Sequence, residues 1–393
     1  MPPFPLRRVV ITYEPEAGCR ARLEAAGFDP AAAAEIACYL AQATDLAAIR
    51  PELTATLAEA GLEAEFVELD GLIGALPGLV ARRDDTILWC QTDGIAYYRG
   101  SAVSALARLA GIPTYGSPPQ AQHLCQDKFK CTALAAAAAG LPVPPTALAE
   151  GRRVIAGAAV LDGAGPFFVK PNTLGAKIGI FADSGTPDAA TALELAARLW
   201  DRYRDWAVIQ PFLPGHDIRV SYMDVGRSLA ASLGIARLGK DPDSETGGAF
   251  MTMRDNASLS GSRDTEGGRT GFGGGQQRAF IPQLSDLRAE AGPAAARIVA
   301  AAEILVPRLA EIFGLRDYFS VDLRAGEDGS VHILEFETCP AVTIYDFQTY
   351  LRDAHGLWAP PSPAPWRWRI AGRRSLEPPA LTAAASDSGR VGA

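Results

Sequence analysis

The sequence contains few of the residues that build the commonest metal and nucleophile sites. Its 393 residues include only four histidines, which are widely scattered and complete no metal or nucleophile constellation. The six cysteines form no Cys-x-x-Cys pair and no zinc-like spacing, so we expect reduced structural thiols. The chain therefore offers neither a Ser-His-Asp nor a Cys-His arrangement for covalent catalysis.

Long apolar runs and clusters of basic residues are also missing. No segment reaches the roughly 20 apolar residues that a membrane span needs, and the opening Met1–Pro5 has no apolar signal core. The net charge is -8 and no run of Lys or Arg stands out. Nucleic acids and acidic membrane surfaces are therefore not expected partners. We expect a soluble cytoplasmic protein that acts on small molecules.

Strands and helices alternate in the first part of the chain. Arg8–Tyr13, Ala64–Leu69 and Thr86–Cys90 have the apolar composition of buried strands, with Ala-rich helical segments between them. This alternation predicts a parallel sheet in an α/β domain, whereas the hairpins farther along predict α+β structure. The predicted units are an N-terminal α/β domain, a central small α+β lobe, a C-terminal α+β lobe and a Pro/Ala-rich, partly disordered tail, at residues 1–123, 124–212, 213–358 and 359–393.

The most informative segment is an acidic hairpin in the C-terminal lobe. Asp328-Gly329 lies between two short apolar segments and is typical of a two-residue hairpin turn. That turn would place Asp322 directly opposite Glu335. Period-two alternation puts Glu337 on the same face, together with Ser320 and Arg324. The other face is predicted to join the core through Val321, Leu323, Leu334 and Phe336.

Three carboxylates on one sheet face repel one another and destabilise the sheet. Divalent cations such as Mg²⁺ or Mn²⁺ relieve this repulsion, since they take oxygen ligands from carboxylates and nucleotide phosphates. Asp322, Glu335 and Glu337 are therefore candidate metal ligands. For a single hairpin, an acidic face in contact with solvent is the more common explanation, so the metal hypothesis depends on the rest of the chain.

Three lysines and a glycine-rich segment favour a phosphate site. Lys170 ends a predicted strand, Lys177 follows a turn that contains Gly175, and Lys128 stands near the start of a helix. Gly175 would let backbone amides approach phosphate oxygens without obstruction. Surface lysines beside an ordinary turn would explain any one of these features alone. Residues 247–277 are expected to form either a lid or a disordered loop.

The order of these features along the chain is informative, because no Walker motif is present and a P-loop is excluded. The segments are Gly111–Ser117, Asp127-Lys128, Ala139–Pro144, Phe168–Asn172 and Asp322–Pro340. In this order they resemble the ATP-grasp carboxylate-amine ligases, most closely the D-alanine:D-alanine ligase branch. The resemblance implies an ATP-grasp fold, in which an N-terminal parallel-sheet (pre-ATP-grasp) domain precedes two α+β lobes that enclose ATP.

The resemblance also implies cofactors and roles: ATP and Mg²⁺ or Mn²⁺, with two ions expected. Lys128 and Lys170 would contact the ATP phosphates, and Asp217 would meet the ribose hydroxyls. A backbone segment would hold adenine, through Gln210, Pro211, Phe212 and Leu213. In this family ATP phosphorylates a carboxylate, and an amine then attacks the acyl phosphate to give an amide, ADP and phosphate.

Three departures from the D-alanine ligases concern the substrate side. Glu337 replaces an asparagine, Pro340-Ala341-Val342 replaces Pro-Gly-Met, and Ser320 stands where an arginine is expected. The candidates for the missing catalytic guanidinium are Arg219, Arg237 and Arg324. By resemblance, a carboxylate after the first strand would hold a substrate ammonium group, and the candidates are Glu14 and Glu16.

We therefore expect an ATP-dependent ligase that forms an amide or peptide-like bond between amino-acid-like substrates. A product of specialised metabolism is favoured over D-Ala-D-Ala. A cyclase or kinase that uses the same acyl phosphate chemistry is one alternative. A nucleotide-binding regulator that has lost catalysis is another, although it would not need three metal carboxylates. A homodimer is a candidate assembly.

Overall fold

The computed structural model shows three β-sheets with helices packed against them. It describes residues 6–44, 46–47, 50–91, 100–224, 228–239, 244, 246–253 and 284–340. Most of the glycine-rich segment, the end of the segment that carries Pro340-Ala341-Val342 and the predicted tail lie outside these residues. No helix in the described ranges is long and apolar enough to cross a membrane.

The N-terminal sheet is parallel, which confirms the prediction of an α/β arrangement. Strands β1 to β4 span Arg8–Tyr13, Glu63–Glu68, Thr86–Cys90 and Thr114–Tyr115. Helices α1 to α5 span Glu16–Ala25, Pro30–Thr44, Arg50–Glu59, Leu72–Ala81 and Gly100–Leu109. The sheet order is β2-β1-β3-β4, with every pair parallel. Strands β1 and β3 are almost wholly buried, which explains why their sequences are continuous apolar runs.

The central lobe contains an antiparallel sheet covered by a long helix. Strands β5 to β9 span Ala147–Glu150, Arg153–Ala156, Phe167–Pro171, Gly185–Thr186 and Ala207–Pro211, in the order β6-β5-β9-β7-β8. Helices α6 to α8 span Pro119–Cys125, Lys128–Ala139 and Ala189–Tyr203. Helix α8 is amphipathic and buries Leu195 and Leu199 against the sheet. Helix α7 begins at an Asp127 side-chain cap and ends at Gly140, which is left-handed with φ 59°.

Helices α1 and α2 extend from the N-terminal domain to the central lobe. Leu23 of α1 and Ile36 of α2 belong to the same buried cluster as Tyr203 at the end of α8. Glu35 of α2 pairs with Arg202 and accepts a hydrogen bond from the Tyr203 hydroxyl. A buried polar and apolar interface therefore joins the two units, in addition to the chain itself.

The C-terminal lobe contains a second antiparallel sheet. Strands β10 to β14 span His216–Met223, Leu233–Leu238, Leu284–Asp286, Tyr318–Ala325 and Val331–Glu337, in the order β12-β11-β10-β13-β14. Helix α9, Pro293–Phe313, packs on one face of this sheet together with residues of α6 and α7. The opposite face carries most of the predicted site residues.

The acidic hairpin forms with a different turn from the one predicted. Its loop has three residues, Glu327 to Gly329, because the Gly326 amide donates to the Ser330 carbonyl oxygen at 2.8 Å and Gly329 is left-handed with φ 82°. The two-residue turn was therefore wrong. A bulge at Leu334 compensates for the extra loop residue, since Leu323 pairs with Ile333 while Asp322 still pairs with Glu335.

The bulge also changes which residues of β14 face the core. Ile333 is buried, with 1% of its surface exposed, and takes the core position that was predicted for Leu334. Leu334 is only half-buried. His332 pairs with Arg324 and so shares the face of the carboxylates, a position that the predicted register did not give it.

Gly215→Ala should destabilise the protein. Gly215 has φ of 118°, and an added Cβ would lie 2.1 Å from the carbonyl oxygen of Ala325. We expect the free energy of unfolding to fall by more than about 1 kcal/mol. The matched control is Gly74→Ala within α4, where an added Cβ meets no atom within 4 Å, so stability should stay constant or rise by up to about 1 kcal/mol. Urea unfolding measures both variants, and equal stabilities would contradict the close approach at Gly215.

Candidate active site

Three adjacent strands of the C-terminal sheet bring the predicted metal carboxylates onto one face. Asp322 of β13 pairs with Glu335 of β14 on one side and with Arg219 of β10 on the other. One pleat farther along, Ser320 pairs with Glu337. The three carboxylates and the arginine therefore form a compact charged group, as the alternation of the hairpin predicted for the acids.

Arg219 lies among these carboxylates and neutralises part of their charge. Its Nε is 2.7 Å from Asp322 Oδ1, and its Nη1 is 3.3 Å from Glu337 Oε2. The same Nη1 donates to Ser320 Oγ at 2.9 Å. The guanidinium thus contacts Ser320 as well as two of the carboxylates, and it reduces the repulsion between the acids.

Lys128 and Lys170 approach the third carboxylate from outside its own sheet. Lys128 Nζ lies 3.2 Å from Glu335 Oε2, and Lys170 Nζ lies 3.8 Å from the same oxygen. Both lysines are buried, each with 6% of its surface exposed. Lys128 reaches this point from the first turn of α7, and Lys170 from β7. Two ammonium groups from separate elements therefore converge on one oxygen.

Burial and charge act in opposite directions on the pKa values of this cluster. Burial favours the neutral form of Glu335, but the attraction of Lys128 and Lys170 is stronger and holds its pKa well below the ordinary value. Burial lowers the pKa of Lys170, and the neighbouring Lys128 lowers it further, against the attraction of Glu335. For Lys128 the carboxylates of Glu335 and Asp205 outweigh burial and raise the pKa. Lys128 and Glu335 therefore stay charged at neutral pH.

The turn after β7 accepts hydrogen bonds from the first residues of α7. Asn172 accepts a hydrogen bond from the Lys128 amide through its carbonyl oxygen at 3.1 Å, and from the Phe129 amide through Oδ1 at 2.9 Å. The carbonyl oxygen of Leu174 accepts from Lys128 Nζ at 2.7 Å. Lys177 lies in the same turn and is left-handed with φ 61°. Lys128 and Lys170 thus both reach Glu335 from elements that flank this turn.

Asp205 holds this turn, and the sequence analysis missed it. The Asp205 carboxylate is buried and its Oδ2 accepts from the amides of Thr173 and Leu174, at 2.7 and 3.2 Å. Asp205 lies between the end of α8 and β9, 31 residues from Leu174 in sequence. No local pattern marks an aspartate at such a distance as the partner of the turn.

The segment predicted to hold adenine lies at the end of β9. Gln210 is buried and donates through Nε2 to Thr146 Oγ1 at 2.9 Å, and the Phe212 amide donates to the Pro166 carbonyl oxygen at 2.8 Å. The Phe212 ring packs near the rings of Phe168 and Phe250, with centroids 6.3 and 6.1 Å away. Phe212 and Leu213 thus begin the connection from Pro211, the last residue of β9, to the second antiparallel sheet.

Arg324 fastens this connection to the C-terminal sheet. Its Nε donates to the Leu213 carbonyl oxygen at 2.8 Å, and its Nη2 donates to the Ala249 carbonyl oxygen at 3.1 Å. Its Nη1 pairs with Asp217, the predicted ribose ligand. Arg324 therefore binds backbone and Asp217 rather than the Asp322 to Glu337 group, which favours a positioning role over contact with reacting atoms.

A groove opens beside this contact. It has a volume of about 360 Å³ and is lined by Leu213, Pro214, Gly215, Arg324, His332 and the tip of the acidic hairpin. The volume lies in the range of small-molecule sites. Asp217 pairs with Arg324 at the wall of this groove. The groove therefore continues the charged face, which is the sheet face that carries Asp322, Glu335 and Glu337, in the direction away from Glu337.

Arg237 lies on the other face of the sheet. It pairs in register with Ile218, a core residue, and not with Arg219 or Asp217. Its guanidinium forms an ion pair with Glu290 at 2.9 Å. The structure therefore does not bring Arg237 to the carboxylates, because the register of β11 gives it the opposite parity.

The N-terminal candidates lie at the carboxyl end of β1. Glu14 is buried, and its two oxygens accept from Nε and Nη2 of Arg22 at 2.8 and 3.0 Å. Glu16 is half-buried in the first turn of α1. This edge of the parallel sheet meets β13, since Gln91 Nε2 donates to the Tyr318 hydroxyl at 2.8 Å. Glu14 is thereby tied to a cation of its own chain.

The arrangement of acids does not by itself form a closed metal cage. Among the described residues, no group of three histidine, cysteine or acidic side chains is arranged to hold a metal ion. Arg219 and the lysines hold Asp322, Glu335 and Glu337 as counter-ions. Mg²⁺ usually takes one or two carboxylates together with phosphate and water, so these residues fit a metal that arrives with a nucleotide. Metal binding stays a prediction.

Asp205 should make stability depend on pH. Burial raises its pKa to about 6, against the amide hydrogen bonds that lower it. Because the unfolded value is about 4, the folded state binds an extra proton between about pH 4 and pH 6, and the stability contributed by Asp205 falls as pH rises through that window. Asp205→Asn keeps an acceptor without the charge.

The stability of Asp205→Asn relative to the native chain should therefore rise between pH 4 and pH 7, by on the order of 2 kcal/mol. Urea unfolding of both proteins at several pH values measures this change. A difference that does not vary with pH would show that Asp205 is not a buried, pH-sensitive carboxylate.

The fold is that of the D-alanine–D-alanine ligases, the ATP-grasp fold that the resemblance implied. D-alanine–D-alanine ligase from Bacillus anthracis, solved with ATP, matches with a TM-score of 0.58 at 14% identity, over 93% of this chain and 96% of that one. D-alanyl-alanine synthetase A from Vibrio cholerae matches with a TM-score of 0.56 at 13% identity, over 89% and 94% of the two chains. The ligase from Coxiella burnetii matches with a TM-score of 0.53 at 13% identity, over 93% of each chain.

These matches establish the fold but not the reaction. No protein-family model matches the sequence, and no curated protein matches it significantly. The chain and these solved structures cover one another almost completely, so the likeness concerns the whole architecture and not one lobe.

Proposed function

We propose that this chain is an ATP-dependent ligase, which activates a carboxylate as an acyl phosphate and joins it to an amine of an amino-acid-like substrate. One observation carries the proposal: the ammonium groups of Lys128 and Lys170 meet at Glu335 Oε2, on a sheet face that also bears Asp322 and Glu337. Cations and carboxylates at such short range suit a polyanion accompanied by metal ions.

The residues fit ATP by the chemistry of their side chains. Buried ammonium groups need an anionic partner, and in the structure Glu335 supplies it. The lysines would pair with nucleotide phosphates, while Asp322, Glu335 and Glu337 would hold Mg²⁺. Bound Mg²⁺ would neutralise phosphate charge and orient the phosphates for in-line transfer. The segment at Gln210 to Leu213 and the neighbouring groove would take the nucleoside.

The reaction needs positioning and charge neutralisation, not a protein nucleophile. A substrate carboxylate oxygen forms a bond to the γ-phosphorus of ATP, and the bond from that phosphorus to ADP breaks. The amine then attacks the acyl carbon, phosphate leaves with the bonding electrons, and the amine loses a proton. Lys128 and Lys170 stabilise the charge of the transferring phosphoryl group.

Arg219 would stabilise the acyl phosphate in this proposal. Its Nη1 lies 2.9 Å from the hydroxyl of Ser320, the position at which the D-alanine ligases have their arginine. The guanidinium comes from β10 instead of β13, but it reaches the same corner of the charged face. Because it also contacts Asp322 and Glu337, it could exchange these partners for an anion without leaving the site.

The substrate is proposed to differ from D-alanine. Arg22 holds both oxygens of Glu14, so this carboxylate attracts a substrate ammonium less strongly than an unpaired one would. Glu337 in place of asparagine adds a negative charge on the other side. These differences support a modified dipeptide or another specialised metabolite as the product. We place the reaction in the cytoplasm, where the six cysteines would remain free thiols as they are in the structure.

The test is a screen of phosphate release from Mg-ATP with pairs of amino acids, combined with mass spectrometry of the products. The proposal predicts an amide whose appearance matches the release of phosphate and ADP. Phosphate release without an amide would favour a kinase or cyclase. Nucleotide binding with no turnover for any pair would favour a regulator and overturn the proposal.

Glu335→Gln should reduce turnover at least about 100-fold, because it removes the charge that faces both lysines and the metal. The matched control is Glu290→Gln, because Glu290 pairs with Arg237 on the opposite face of the same sheet. Glu290 resembles Glu335 in exposure, at 28% against 33% of the side chain, and in being paired with a cation. Phosphate-release assays should find the control nearly as active as the native chain. Equal activity of the two variants would refute the role of Glu335.

A further inference from the structure

We propose that Asp205 is a positioning residue for Lys128, and that it acts through the Thr173-Leu174 turn. The inference rests on the proposed function, since it assigns a task at the phosphate end of the ATP site. Asp205 accepts hydrogen bonds from the backbone of Thr173 and Leu174, neither of which is a predicted metal ligand. Its effect on the reaction would therefore be indirect.

The contacts form a continuous path from the carboxylate to the ammonium group. Asp205 Oδ2 accepts from the Thr173 and Leu174 amides at 2.7 and 3.2 Å. The carbonyl oxygen of Leu174 in turn accepts from Lys128 Nζ at 2.7 Å. The same Nζ lies 3.2 Å from Glu335 Oε2. Asp205 thus holds the residue whose carbonyl group orients the lysine.

A long side chain such as Lys128 gains most from this kind of support. Lysine carries a point charge on a flexible stem, and each fixed rotamer costs conformational entropy. A hydrogen bond from Nζ to a backbone oxygen removes part of that freedom before a phosphate arrives. The Leu174 carbonyl can do this only if the turn itself is fixed. The next residues of the turn, Ala176 and Lys177, are left-handed with φ 51° and 61°, which is unfavourable without external restraint.

Burying the Asp205 carboxylate costs free energy, which argues that its charge has a function. Asp205 has 5% of its surface exposed, and burial raises its pKa to about 6. An asparagine would accept the same amide hydrogen bonds without burying a charge. The negative charge also attracts Lys128 and opposes the effect of burial on that lysine. Geometry and charge therefore act on the same ammonium group.

Asp205 is itself anchored from the N-terminal helices. Arg202 and Tyr203, at the end of α8, both contact the buried carboxylate of Glu35 in α2. Arg204 ends the helix in a left-handed conformation, with its guanidinium 5.5 Å from the centre of the Phe28 ring. These contacts fix the chain immediately before Asp205. The position of the carboxylate is thus set by packing and not by the flexible turn that it holds.

The experiment is a double-mutant cycle on nucleotide affinity. The full chain, Asp205→Ala, Lys128→Met and the double variant are titrated with the magnesium complex of the non-hydrolysable analogue AMP-PNP. We expect Asp205→Ala to weaken binding about 10-fold in the native background, the size expected for a lost hydrogen bond to a charged group. In the Lys128→Met background, the same change should have almost no further effect.

Two further variants separate positioning from general damage. Asp205→Asn keeps the acceptor and should retain more affinity than Asp205→Ala; an equal loss would overturn the route through the turn. Asp317→Ala is the matched control, since Asp317 is also buried and accepts a backbone amide, that of Gly116 at 2.9 Å. Its effects should add to those of Lys128→Met. Should Asp205→Ala not fold, Asp205→Ser, which replaces the carboxylate with a shorter, uncharged hydroxyl, takes its place in the cycle.

The outcomes distinguish this inference from the proposed function. If the native chain does not bind Mg-AMP-PNP, or Lys128→Met binds it equally well, the nucleotide site itself is refuted and the inference falls with it. If the native chain binds and Lys128→Met weakens binding, but the losses from Asp205→Ala and Lys128→Met add, the inference alone is refuted. Loss of additivity restricted to Asp205 supports it.

Discussion

The meeting of two buried lysines with one glutamate is the interaction on which the rest of the structure depends. Lys128 begins α7, Lys170 belongs to β7 and Glu335 belongs to β14, so the contact joins three elements far apart in sequence. A buried charge that loses its partner costs several kcal/mol, and the three side chains therefore hold one another in place. The turn after β7, the start of α7 and the acidic hairpin acquire fixed relative positions through this contact.

The charged face is neutralised from within. Arg219 forms ion pairs with Asp322 and Glu337, as the two lysines do with Glu335. Such a face does not attract a polyanion by excess charge alone, which agrees with the net charge of -8. Affinity has to come from exchanging partners at short range, where geometry decides the energy. The proposed ligand suits this requirement, because the phosphates of Mg-ATP would pair with the cations and its metal ions with the acids.

Local patterns predicted the parts of the molecule that depend on local rules. The alternation of strands and helices indicated the parallel sheet, and the alternation along the hairpin indicated that Asp322 faces Glu335. The sequence could not predict which face of the sheet carries Arg237, since this depends on how β11 pairs with β10 across a loop. Asp205 was missed because it acts on a turn 31 residues away in sequence. The packing of α1 and α2 on the central lobe likewise depends on contacts between residues far apart in sequence, which composition does not reveal.

The bulge at Leu334 separates the length of the hairpin loop from the pairing of the carboxylates. A two-residue turn without a bulge and the three-residue loop with one lead to the same partner for Asp322. The tip of the hairpin and its acidic base are therefore independent modules within one pair of strands. Evolution can lengthen, shorten or decorate the tip, which borders the groove beside Leu213, while the acids at the base keep their places.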